Sequence, residues 1–93
     1  MHLMILDKEE TLPEELLKLQ EEVNEVKEAI LNNDTENTTE EVLDVIQVCV
    51  GMLYTLKKAK NVDIRKEFNK HTKKLVKRGW KDKGIVLVQA YKE

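Results

Sequence analysis

The chain has one proline, three glycines, one cysteine and four aromatic residues among its 93. So little glycine and proline leaves few turns, which argues against a β-sandwich and for an all-helical protein. The lone cysteine, Cys49, excludes an internal disulfide. Sitting in an apolar run, it reads as a buried free thiol suited to a reducing cytoplasm. No apolar stretch approaches the roughly 18 residues of a membrane span. The opening MHLMILDKEE is too short and too quickly acidic for a signal peptide, so the glycosylation sequon at Asn37 carries no meaning. A net charge of −2 and a lack of aromatics interleaved with the cations argue against a nucleic-acid partner.

Charge, by contrast, is plentiful and divided. Residues 1–46 hold 14 acidic and 3 basic side chains, and residues 47–93 hold 4 acidic and 13 basic. The halves can simply neutralise each other across a helix interface. Alternatively, one half makes a cation site and the other an anion site.

Apolar periodicity places three helices. Thr11-x-x-Glu14 is a capping box with Pro13 in the first turn, so a helix is predicted over Leu12–Leu31. Its stripe is Leu12, Leu16, Leu19, Val23, Val26 and Ile30. The polar segment Asn32 to Thr39 reads as a linker. A second helix is predicted from about Thr39 to Lys60, with Thr38-x-x-Glu41 as its capping box and lysines at its C-terminal end. It is apolar nearly all round, and so short a chain cannot cover it alone; a dimer or higher oligomer is therefore expected. Asn61 or Asp63 can cap a third helix lasting to about Arg78, with Gly79 as its stop. That helix has a thin apolar face (Ile64, Phe68, Leu75, Val76) and is otherwise basic. Beyond Gly84, IVLVQAY reads as a short strand or an extended arm.

Within the acidic half, Glu22-x-x-Glu25 and Glu41-x-x-Asp44 are pairs spaced three apart, which puts each on one face of its helix. On a wheel, Glu22 lies about 80° from the centre of the first stripe. Glu41 falls within the second helix's apolar arc and Asp44 at its margin. In a helical hairpin the 15 residues between Glu25 and Glu41 let the two pairs face each other. Four carboxylates so placed repel and gain protons unless cations sit between them. Oxygen ligands without cysteine or histidine suit Mg²⁺ or Mn²⁺ rather than zinc. With cations in the basic helix, this is a composition suited to phosphoryl chemistry. Each residue also has a plain reading. Glu41 can be only a cap, Glu22 and Glu25 only solvated charges, and the basic helix only a solvated face. His71 reads as a packed or hydrogen-bonded residue. Asp44 is the least easily dismissed, because among apolar neighbours it needs a partner.

KLQEEVNEVKEAI followed by EEVLDVIQVCV resembles the MazG-type nucleoside triphosphate pyrophosphohydrolases, marked by ExxE, a spacer and ExxD on successive helices. Glu22, Glu25, Glu41 and Asp44 fall on those four positions. Lys18 echoes the family's lysine-containing lead-in, and HTKKLVKRGW is similar to a basic segment of its short members. The likeness covers about residues 12–80 and implies that residues 1–93 form one all-α domain, a three-helix antiparallel unit assembling as a homodimer or homotetramer. It further implies Mg²⁺-dependent hydrolysis of a nucleoside or deoxynucleoside triphosphate to the monophosphate and pyrophosphate, for house-cleaning or control of the nucleotide pool. The four acids would hold the metal on the triphosphate and help generate the attacking hydroxide. Lys18, Asn69, Lys73 and Arg78 are the implied candidates for phosphate contacts, and Trp80 could stack on a base or plug an interface. The rival readings keep the fold without turnover, as a nucleotide-binding module or as a helical interaction module.

Overall fold

The computed structural model describes residues 1–89 and 91. Three helices follow in order, α1 (Leu12–Leu31), α2 (Thr35–Lys60) and α3 (Ile64–Lys77). No strand occurs among the described residues, so the fold is all-α. IVLVQAY beyond Gly84 forms neither helix nor strand within them. Ala90, the sixth residue of that stretch, lies outside the described residues.

Local chemistry explains the boundaries. The Thr11 hydroxyl accepts from the Glu14 amide at 3.3 Å, and Glu14 Oε1 accepts from the Thr11 amide at 3.0 Å, which closes the capping box and starts α1. At its end, Asn33 adopts φ 53°. Its amide donates to the Ile30 carbonyl at 3.0 Å, and the Asp34 amide to the Ala29 carbonyl at 3.1 Å. That is a Schellman ending with asparagine in the left-handed position. Asp34 then caps α2, its Oδ1 accepting from the Asn37 amide at 3.0 Å.

The expected linker is therefore too long and the expected cap is wrong. Only residues 32–34 separate the helices, and α2 begins at Thr35, four residues before Thr39. Thr38 turns its hydroxyl to the Asp34 carbonyl at 2.7 Å instead of capping. Asp34 outcompetes Thr38-x-x-Glu41 because it can both finish one helix and start the next. Asp63 caps α3, and α3 ends in a second Schellman pattern around Gly79 at φ 90°.

So short a turn makes α1 and α2 an antiparallel hairpin, and this is the helix pair that packs. The buried residues of α1 are Glu15, Glu22 and Ala29, seven apart on one line. Opposite them, Glu41, Val45, Val48, Met52 and Thr55 of α2 are half-buried at steps of four and three. The stripe predicted for α1 is thus divided. Leu12, Leu19 and Val26 flank the buried line, while Leu16, Val23 and Ile30 are 46%, 51% and 56% exposed. Sequence periodicity identifies an apolar arc but not which edge of it meets the partner helix. Likewise α2 has no fully buried residue, and Cys49, expected inside, is exposed.

α3 stands apart. Only Ile64 is buried in it and Leu75 half-buried, so it does not pack along the hairpin. Phe68 and Val76 are exposed, as are His71, expected to pack, and Trp80. The chain exposes 8451 Å². A folded monomer of this mass exposes roughly 5600 Å².

Candidate metal centre

The hairpin brings the two acidic pairs together. Glu22, Glu25, Glu41 and Asp44 each offer a carboxylate oxygen, and these four atoms lie within 4.8 Å of one another. α1 presents its pair from one side and α2 from the other. The three-residue turn sets the register that aligns them. Glu22 is buried, Glu41 half-buried, and Glu25 and Asp44 are exposed. The burial is thus the reverse of the sequence expectation: Asp44 borders solvent, and Glu22 is the acid enclosed by the fold. Asp44 lies at the margin of the α2 arc, and with no helix packed there that margin stays open.

Enclosure leaves polar atoms without partners. Glu22 Oε2 and Glu41 Oε2 are buried and accept no hydrogen bond. Buried acceptors of this kind are rare in folded proteins, because their desolvation is not recovered. Glu22 Oε1 is held by the Lys18 ammonium at 3.0 Å, one turn earlier on α1. That hydrogen bond and the Glu22 charge raise the Lys18 pKa. Lys18 is therefore paired with the cluster itself.

The Glu41 carboxyl is pushed up to about 7. Its hydrogen bond to Glu25 is the main cause, followed by desolvation and by the negative charges of Glu25, Asp44 and Glu22. Without a cation the repulsion thus favours the protonated form of the Glu41 carboxyl. A divalent ion would remove the same repulsion and fill the unmet valence of the two orphaned oxygens. The donor set is entirely carboxylate oxygen, which suits a hard cation. The residues fit a Mg²⁺-type ion.

The basic candidates separate. Asn69 and Lys73 line an open concavity along α3 together with Asp63, Arg65, Lys66 and Lys70. Arg78 is the C-cap of α3 and is not among those residues. Among the described residues, the cations of α3 make one ion pair, Lys70 with Glu67 at 3.5 Å, and none with the four acids.

One element escaped sequence reasoning. Glu15, a heptad before Glu22, is buried at 5% exposure, and its Oε1 accepts from the Thr55 hydroxyl at 2.6 Å. A Cβ on Gly51 would stand 3.1 Å from Glu15 Oε2, so glycine leaves the room that this carboxylate occupies. The seven-residue spacing of Glu15, Glu22 and Ala29, with a glycine across the hairpin, is the signal that could have revealed it.

Comparison with known proteins agrees with this architecture. No curated protein and no solved structure matches the chain at a significant level. No helix among the described residues is long and apolar enough to cross a membrane. The model of the MazG nucleotide pyrophosphohydrolase domain matches residues 8–81, most of the chain and all of α1, α2 and α3. The chain belongs to the MazG nucleotide pyrophosphohydrolase family.

Proposed function

We propose that the chain hydrolyses a nucleoside or deoxynucleoside triphosphate, with Mg²⁺, to the monophosphate and pyrophosphate. The observation that carries this reading is the four-carboxylate cluster with its two orphaned buried oxygens, in a chain of this family. Glu22, Glu25, Glu41 and Asp44 would hold the ion, and Mn²⁺ is a plausible substitute by its oxygen preference. When bound, the metal neutralises phosphate charge and polarises the scissile α–β anhydride.

The chain's own groups have separable tasks. Lys18 holds Glu22 Oε1, which leaves Oε2 buried and free to take a metal ion. The Glu41 carboxyl, pushed up to about 7 by its hydrogen bond to Glu25, by desolvation and by the neighbouring acids, would when ionised accept a proton from water as the anhydride opens. The exposed side of the cluster, at Glu25 and Asp44, is the side from which substrate can approach. The proton taken from water ends on a carboxylate, water's oxygen joins the phosphorus, and the bridging oxygen leaves with its phosphate.

The large exposed area and the absence of a fully buried residue in α2 support a homodimer or homotetramer. We place the activity in the cytoplasm, where the exposed Cys49 thiol stays reduced. The test is a panel of NTPs and dNTPs with Mg²⁺, scored for monophosphate and pyrophosphate. Turnover that persists unchanged in Asp44→Asn or Glu41→Gln overturns the site. Tight nucleotide binding without turnover would instead favour the non-catalytic reading.

A further inference from the structure

α1 and α2 meet along one line, and the two flanks of that line differ. At about 100° per residue on antiparallel helices, Lys18 and Glu25 of α1 and Asp44 and Gln47 of α2 fall on one flank. Leu16, Val23, Val42 and Ile46 fall on the other. Glu25 and Asp44 are the exposed acids of the cluster, so the cluster opens on the polar flank. The segment before α1 reaches this same flank. The Gln47 side-chain amide donates to the Met4 carbonyl at 2.8 Å, joining residues 43 apart in the chain. Met4 lies seven residues before Thr11, an extended reach of roughly 23 Å, against about 15 Å of α1 from Leu12 to Glu22. The segment thus doubles back along the hairpin to the level of the acids. Gln47 holds it one turn beyond Asp44, about 4.5 Å further along the α2 axis.

We propose that residues 3–6 form the nucleoside side of the site, with Gln47 as the positioning residue that keeps them beside the acids. Ile5 is half-buried, while Leu3, Met4 and Leu6 are 44%, 64% and 41% exposed. They set apolar side chains on a flank that the two helices make largely polar. A nucleotide matches that division. Its phosphates belong with the metal, and its base, one sugar away, has an aromatic face to bury. A methionine thioether suits such a face, being flexible and polarisable. The Met4 carbonyl is already engaged by Gln47, so the contact is made by side chains. Apolar contact of this kind adds affinity for a nucleoside and discriminates weakly between bases.

This role rests on the proposed reaction of a nucleoside triphosphate, and a footprint that needs no turnover separates the two. In a Cys49→Ser background, Met4→Cys is alkylated with N-ethylmaleimide and Mg²⁺, with each NTP or dNTP or with inorganic tripolyphosphate. A nucleotide should slow the alkylation, and tripolyphosphate should not. Equal protection by both, or protection by no nucleotide, overturns the proposal. Protection in a protein that makes no monophosphate and pyrophosphate keeps the nucleoside wall and rejects the reaction; turnover without protection does the reverse. The second measurement leaves Met4 in place. Gln47→Ala should raise KM for a nucleoside triphosphate roughly three- to tenfold with little change in kcat, since the acids are untouched. Its inhibition by tripolyphosphate should match that of the wild type. An unchanged KM, or an equal weakening of nucleotide and tripolyphosphate, overturns the assignment of Gln47.

Discussion

Adding Mg²⁺ or Mn²⁺ to the metal-free protein is expected to raise its melting temperature, at a fixed protein concentration. The structure supplies the reason. Four carboxylate oxygens lie within 4.8 Å of one another, and in the same cluster Glu22 Oε2 and Glu41 Oε2 are buried without a hydrogen-bond partner. At a free metal concentration ten times Kd the stabilisation is about 1.4 kcal/mol, and at one hundred times about 2.7 kcal/mol. For a chain of this length, those values correspond to shifts of roughly 6–11 °C and 11–22 °C. Protons provide a second scale. Glu41, pushed up to about 7, must ionise to bind metal. Binding should then release about 0.9 proton at pH 6 and about 0.1 at pH 8. Titration calorimetry in two buffers of different ionisation enthalpy counts these protons, and melting curves give the stabilisation. Glu22→Gln and Asp44→Asn should each lose most of the shift. An equal shift in those variants, or no proton release at pH 6, would show that the four carboxylates do not bind the ion.

Three further outcomes follow from the same geometry. The metal-free protein should lose stability as pH rises, because Glu41 binds its proton more tightly folded (about 7) than unfolded (4.5). That contribution is fully present below about 4.5 and lost as pH passes through about 7; melting curves from pH 5 to 8 should flatten in Glu41→Gln. Thr55→Val removes the hydroxyl that donates to buried Glu15 and should cost about 1–3 kcal/mol in denaturant unfolding, whereas Thr55→Ser should retain most of it. Asp34→Ala removes the N-cap of α2 and should cost about 1 kcal/mol; Thr38→Ala should cost clearly less, since Thr38 does not cap.

Local signals in the sequence were legible where one residue has one task. Thr11, Pro13 and Glu14 agree on where α1 starts, and Gly79 on where α3 stops. The two acidic pairs could be matched because ExxE and ExxD keep each pair on one helical face, and any tight hairpin brings the faces together. The start of α2 was ambiguous because two capping signals, Asp34 and Thr38-x-x-Glu41, compete within five residues. Burial was the least legible property. Periodicity shows that Leu16, Val23 and Ile30 belong to an apolar arc, but only packing decides that Glu15 and Glu22 take the inner line. The same limit explains Asp44 and Cys49, which face solvent because no helix among the described residues packs over their side of α2.

The central claim is that this four-carboxylate hairpin cleaves the α–β anhydride of a nucleotide. Phosphorus NMR of the wild-type protein with nucleoside and deoxynucleoside triphosphates and Mg²⁺ tests it most directly. Monophosphate and pyrophosphate signals should grow together, absent without Mg²⁺ and strongly reduced in Glu22→Gln. Diphosphate with orthophosphate, or pyrophosphate formed equally well by Glu22→Gln, would contradict it.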